Sequence, residues 1–262
     1  MLGYLRQGNR EVPDRKRVML TAIGLSIVMI WLLTLIIPVD TRFAEILLDH
    51  SKYSRFPYPF TMQNFEHVLF FIGMGELFVR WRSGEHEIGF SKIGLLPEDP
   101  STVLQTKDLA PIHRRVAGLF DDESGILPSL IDLCILQFQS GRSIDQTVSV
   151  MTSSLELIEH RVDLRYGLVR FLAWMIPTVG FIGTVIGLGG SLALVPKNGN
   201  IDIYVIAQAL SLGFNTTMVA LVESAILVFT LQFVQEKEET GVNLAGTYIL
   251  RNLINRLYEG PR

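Results

Sequence analysis

The sequence contains little of what chemistry at a soluble active site requires. With a single cysteine, Cys134, it cannot form an intramolecular disulfide, and the apolar surroundings LIDLCILQF are typical of a buried thiol. Its five histidines are scattered, and CxxC spacing, HExxH spacing and a glycine-rich phosphate loop are all absent. The net charge of −3 excludes a bulk basic surface for nucleic acid. We therefore expect no enzyme, no bound cofactor or metal, and no nucleic-acid partner.

Long apolar runs dominate what is present. The 262 residues are 48% hydrophobic and 19% charged, and a membrane-spanning helix needs about 20 mostly apolar residues. Four segments approach this pattern: Val18–Ile37, Phe65–Trp81, Leu168–Val195 and Ile203–Val234. We interpret the first as an uncleaved helix, because it is longer than a signal-peptide core and no small-residue cleavage site follows it. The second contains Glu66, His67 and Glu76, so a spanning, an in-plane or a buried amphipathic helix stays open there. The sequence predicts an all-α membrane protein with four transmembrane helices.

Basic residues near the ends of these segments predict the orientation. The first 17 residues contain five of them, and further arginines follow the second segment and precede the third. We expect both termini in the cytoplasm. The loop 38–62 and the turn PKNGN at 196–200 would lie outside. Three basic residues in the outer loop run against this bias: Arg42, Lys52 and Arg55.

The chain accordingly divides into five parts. A cytoplasmic segment at 1–17 precedes the first two spans and their outer loop at 18–81; a helical cytoplasmic domain follows at 82–167. The third and fourth spans occupy 168–234, and a cytoplasmic C-terminal helix occupies 235–262.

Two helices are predicted within the cytoplasmic domain, and the second should continue into the membrane. The first covers Glu123–Ser140, and Ser143 with Gln146 forms a capping signal for the second. Neither proline nor glycine interrupts the second helix before Gly167, which favours one rod running into the third span. The third and fourth spans should therefore be parts of long helices that extend into the cytoplasm.

Small and polar residues mark the third and fourth spans. In the third, Gly183 and Gly187 form a small-xxx-small pair, and four small residues lie near one face: Gly180, Thr184, Gly187 and Ser191. Small faces let helix backbones approach closely in lipid. The fourth contains polar groups within an apolar helix, where such groups usually face protein or water. These are Asn215, Thr216, Thr217 and Glu223.

Helix geometry predicts that Thr184 and Thr217 lie at one depth in the membrane. Counting about ten residues to each end at roughly 1.5 Å each places both near the middle of their spans. Their hydroxyls could line a polar path, but neither can hold a transferred proton. Glu223 lies about 9 Å further inward and about 120° around the helix. It is expected to pair with a basic or amide group, with a relay role as the alternative.

These residues resemble a known family. The GTVxG signature is present at Gly183–Gly187, and Ala209-Leu210 with Thr217 matches the signature of the next span. Across roughly Glu156–Phe233 the chain resembles the MotA/TolQ/ExbB proton-channel family. Where TolQ and ExbB often have a glutamate before the second threonine, this chain has Leu212 and Gly213.

The resemblance implies the ring subunit of an ion-driven motor. Five copies would surround a dimer of a single-span partner of the ExbD/TolR/MotB type, whose transmembrane aspartate passes the ions. Thr184 and Thr217 would line the path, and the flow would drive rotation or force. Protons are the expected ion, although the run Asn215-Thr216-Thr217 could also suit sodium.

Two other functions stay open at this point. A non-conducting membrane scaffold would use the same glycines and threonines for packing alone. A small-solute transporter usually shows internal repeats or broken helices around a midplane site. We see no repeat between the first and second pairs of spans, which ranks the transporter last.

Overall fold

The computed structural model describes residues 13–39, 41–50, 54–120, 125–193 and 203–259. The predictions for residues 1–12, for Lys52 and for the turn at 196–200 therefore lie outside the described residues. The helices are α1 Arg15–Ile36, α2 Arg42–Leu48, α3 Met62–Phe90, α4 Thr106–Val116, α5 Ile126–Gly141, α6 Ile144–Arg165, α7 Gly167–Ala193 and α8 Ile203–Asn252. A short 3-10 turn, Ile254–Arg256, follows α8.

Most of the described residues are helical, as the apolar periodicity predicts. Their one β-type pairing is an isolated bridge between Leu104 and Leu257. Three helical stretches are long and apolar enough to cross a membrane: Arg15–Ile36, Ile144–Ala193 and Ile203–Arg256. The segment predicted as the second span forms a helix, α3, but its charged residues keep it out of this set.

Both long helices extend well beyond the apolar segments predicted as spans. Ser143 caps α6 as expected, accepting a hydrogen bond from the Gln146 amide at 3.3 Å. The predicted rod is present as one helical stretch, Ile144–Ala193, with a single turn residue, Tyr166, between α6 and α7. Helix α8 runs for 50 residues to Asn252. Most of the segment predicted as a C-terminal helix at 235–262 is therefore the end of α8.

The chain forms two compact units, described separately here. The span unit consists of Asp14–Phe78 and Gly167–Gln232. Within it, α1 and α3 run antiparallel. Arg15 pairs with Glu76 at 2.8 Å near one end, and the hydroxyls of Thr34 and Tyr58 meet near the other.

The bundle unit contains Val79–Tyr166 and Phe233–Arg262. Helices α4, α5 and α6 pack with the end of α8 around an apolar core that contains Leu109, Ile131, Cys134 and Ile249. Burial raises the pKa of the Cys134 thiol to about 12. This agrees with the buried, unreactive cysteine predicted from its surroundings.

One of the charged residues at 235–240 is buried in this unit. Glu238 is only 1% exposed. It accepts hydrogen bonds from Arg165 at 3.1 Å and from the Tyr166 hydroxyl at 2.7 Å. Burial, and to a smaller extent the contact with Glu238, raises the pKa of the Tyr166 hydroxyl.

Candidate ion pathway

The glycine face of α7 lies directly against α8. A Cβ added to Gly180 would stand 2.5 Å from the Ala220 Cβ, and one added to Gly187 would stand 2.7 Å from the Gly213 Cα. Gly183 faces Thr216 in the same way, at 2.5 Å from its Cγ2 atom. Since no side chain fits at such distances, the small residues are what allows the two helix backbones to approach.

The close approach brings Thr184 and Thr217 into contact. Their hydroxyl groups are hydrogen-bonded to each other across the two helices. The depth estimate from the helix rise therefore places them correctly at one level. Thr184 Oγ1 also lies 2.8 Å from the Gly213 carbonyl oxygen, and Thr217 Oγ1 lies 2.7 Å from that of Gly180.

These three contacts compete for two hydrogens. Each hydroxyl has one hydrogen to donate, whereas a carbonyl oxygen can only accept. If both threonines donate to carbonyls, their mutual contact has no hydrogen; if one donates to the other, one carbonyl loses its donor. The pair can therefore exchange between arrangements of similar geometry. Reorienting two fixed hydroxyls in this way can relay a proton between them. Neither hydroxyl, however, can hold the transferred proton.

Thr216 lines a small cavity beside this pair. Its hydroxyl bonds its own helix at the Leu212 carbonyl, 3.1 Å away, as is common for threonine in a span. The cavity has a volume of about 20 Å³, enough for roughly one water molecule, and residues of the outer loop, including Asp49 and Arg55, also line it. Burial raises the pKa of the Asp49 carboxyl to about 6, although Ser54 donates a hydrogen bond to it. A carboxyl group that changes charge near neutral pH thus borders the threonine region.

Asn215 faces elsewhere. It lines a larger cavity of about 220 Å³ with α2 residues Arg42 and Glu45 and with Tyr204 and Gln208 of α8. The described structure thus separates Asn215 from the Thr184–Thr217 contact.

Glu223 is paired with a residue that the sequence did not identify as its partner. Glu223 Oε1 lies 2.5 Å from His67 Nδ1 on α3. The partner is an imidazole, consistent with the basic group expected. Glu66 and His67 were visible in the sequence as polar residues at the start of a weak span, but their contact with a residue 156 positions away depends on tertiary packing.

The comparison with known proteins gives one match. The sequence model of the MotA/TolQ/ExbB proton channel family matches residues 125–244. The match covers 120 of the 262 residues and supports the resemblance to this family. No curated protein and no solved structure matches the chain.

The matched residues include Thr184, Thr217, the glycine face and Glu223. It leaves out α1, α2 and α3, so Glu66, His67 and Asp49 lie outside the matched residues. The family is one of membrane channels that assemble with partner proteins, and not a class of enzymes. Together with the three membrane-capable helices, this makes the chain a multi-pass membrane protein.

Proposed function

We propose that this protein is the ring-forming subunit of a proton-driven membrane motor. Protons would pass at its interface with a single-span partner and drive rotation or force. The contact between Thr184 and Thr217 inside the family region carries this proposal. Two hydroxyls fixed side by side within apolar helices provide polar groups where hydrocarbon offers none.

The proposal requires a proton acceptor from another protein. Thr184 and Thr217 do not ionise in the ordinary pH range, so they can position or relay a proton but cannot hold it. A transmembrane aspartate on a dimeric ExbD/TolR/MotB-like partner would supply that acceptor. No further cofactor is needed, because the transported proton, or sodium ion, is itself the cargo.

Exposed apolar stripes on α7 and α8 support assembly into a ring. On α7, Phe181, Val185 and Leu188 are 64%, 55% and 45% exposed, and they follow one another at helical spacing. Similar exposure is found on α8 at Phe214 and Met218. In a homopentamer these faces would contact neighbouring copies, the partner helix or lipid.

We further propose that α3 completes a set of four spans. Its polar residues Glu66, His67 and Glu76 are all buried inside the span unit, where contacts with α1 and α8 satisfy part of their polar groups. Both termini would be cytoplasmic in a bacterial inner membrane, with the 38–62 loop outside. The bundle unit would form the cytoplasmic domain.

Ion flux in liposomes that contain this chain and its candidate partner tests the proposal. Thr184→Val and Thr217→Val keep the side-chain shape and remove the hydroxyl. Thr230→Val is the matched control, because the Thr230 hydroxyl is exposed and bonds only the Ile226 carbonyl of its own helix in the described structure. We expect partner-dependent proton flux to be lost in the first two variants and kept in the control.

Two results would refute this function. Flux that survives both threonine substitutions would remove the hydroxyls from the pathway. The absence of flux in the wild-type complex would favour the alternative, a non-conducting scaffold in which the same contacts only hold helices together.

A further inference from the structure

The span unit contains a second buried polar site, formed by Glu66, His67 and Glu223. Their exposed fractions are 0%, 5% and 9%. His67 Nε2 lies 2.8 Å from the Leu47 carbonyl oxygen, which can only accept, so Nε2 carries a hydrogen. The 2.5 Å contact between His67 Nδ1 and Glu223 then requires a second proton, held by one of those two atoms. The His67–Glu223 pair is therefore a place where a proton already resides.

Unpartnered polar atoms adjoin this pair. Five buried atoms have no hydrogen-bond partner among the described residues: both carboxylate oxygens of Glu66, the Oε2 atom of Glu223, and the side-chain amide oxygen and nitrogen of Gln63. Gln63 is also fully buried, and it precedes His67 by four positions, so the two share a helix face. Glu66 interacts electrostatically with Glu223. A proton on Glu66 would convert one acceptor into a donor that Gln63 or Glu223 can use.

Helix contacts place this site level with the middle of the uncharged part of α1. Gly75 of α3 packs against Val18 and Ala22 of α1. His67 lies eight residues before Gly75, about 12 Å along the helix. Because α1 runs antiparallel to α3, this level corresponds to Val28, the middle of the uncharged run Val18–Ile37. Ionisable groups at such a depth usually have a function.

The charges at the site identify the ligand as a proton. Two carboxylates with one imidazolium leave a net negative charge in an apolar environment, where an uncompensated charge is unfavourable. One more proton makes the set neutral. A metal ion is disfavoured, because the described residues contain no group of three acidic, histidine or cysteine side chains arranged to hold one. We propose that Glu66, His67 and Glu223 form a proton-binding site inside the membrane part, with Glu66 as the group that gains and loses the proton.

A route for exchange leads towards the outer loop. The cavity that Asp49, Met62 and Thr216 line lies one helical turn from the site on α3, since Met62 precedes Glu66 by four residues. Thr216 precedes Glu223 by seven residues and so shares its face of α8. The charged groups along this route are Asp49 and Arg55; α1 contributes none between Val18 and Ile37.

This site goes beyond the proposed function, because it is separate from the threonine contact. The Thr217 hydroxyl points to the Gly180 carbonyl on α7, whereas Glu223 meets α3. A proton could therefore be bound by this chain without any partner, and the site can be tested in the isolated full-length protein.

Infrared difference spectroscopy of the full chain in lipid nanodiscs tests the proposal. A protonated carboxyl group gives a C=O stretching band that a carboxylate lacks and that shifts in heavy water. We expect such a band in the wild type, its intensity falling as the pH is raised. Glu66→Gln should remove it, whereas Glu236→Gln, which changes an exposed acid on α8, should leave it intact.

Labelling glutamate with ¹³C at the carboxyl carbon separates this band from that of Asp49, and it needs no substitution if Glu66→Gln fails to fold. The proposal is overturned if no labelled band exists at any pH at which the protein stays folded. It is also overturned if the band persists unchanged in both Glu66→Gln and Glu223→Gln, or if sodium removes it at constant pH, which would indicate a cation site. Thr184→Val and Thr217→Val should keep the band, so loss of flux and loss of this site are distinguishable.

Discussion

Gly187→Ala should weaken the packing of α7 on α8. The added Cβ would stand 2.7 Å from the Gly213 Cα and 3.0 Å from its amide nitrogen. Carbon atoms in contact prefer about 3.5–4.0 Å, so the helices must separate by roughly 1 Å. Because the obstructing atoms are backbone, no rotamer change relieves the overlap. Overpacking of this kind typically costs about 1–3 kcal/mol.

The separation should also disturb the threonine contact one turn away. Thr184 Oγ1 reaches the Gly213 carbonyl at 2.8 Å, and a displacement of about 1 Å would lengthen this beyond a hydrogen bond. We therefore expect lower stability together with reduced partner-dependent flux.

Gly189→Ala is the matched control, because a Cβ at Gly189 meets no atom within 4 Å. The control should be neutral or more stable by up to about 1 kcal/mol, since alanine favours helix over glycine. Thermal unfolding of both variants in the same detergent measures the difference. Equal midpoints for the two variants would show that the α7–α8 approach is not as close as described.

Three further changes test other parts of the structure. Burial raises the pKa of Asp49 from 3.8 to about 6, so the contribution of this carboxyl group to the free energy of unfolding is full at acid pH and is lost as the pH rises through about 6. At roughly 1.4 kcal/mol per pH unit the loss is at most about 3 kcal/mol. Asp49→Asn should remove this pH dependence from thermal unfolding. Arg256→Lys should weaken the hydrogen bonds that the guanidinium donates to the backbone carbonyls at 97–99. Because a less stable bundle unit opens more often, chemical labelling of the buried Cys134 thiol should accelerate roughly 5- to 30-fold. An unchanged labelling rate would contradict this. Glu87→Gln removes the carboxylate that accepts the two backbone amides at 125–126, and it should lower the stability of the bundle unit by about 1–3 kcal/mol in chemical unfolding, an effect that Glu236→Gln should lack.

Local regularities made much of this structure predictable. The helical character, the α7 glycine face and the common level of Thr184 and Thr217 all follow from residue spacing along a regular helix. The cap at Ser143 follows from a short local signal as well. Each of these depends on residues within a few turns of one another, so no knowledge of tertiary packing is required.

The features that escaped prediction depend on contacts between distant segments. The His67–Glu223 pair needs α3 to lie beside α8, and nothing local to either residue specifies that neighbour. Glu238 lies in a run of charged residues, and only its contacts with Arg165 and Tyr166, which are distant in sequence, show that it is buried.

Arg55 bears on how topology is inferred from charge. In a count of basic residues it opposes an external position for the 38–62 loop. Its guanidinium, however, donates to the Gly190 carbonyl at 2.8 Å, in the last turn of α7. There it satisfies an oxygen that lacks a partner within the helix and faces the negative end of the helix dipole. Arg55 therefore acts as a cap for α7. It should count for little when membrane topology is inferred from the positions of basic residues.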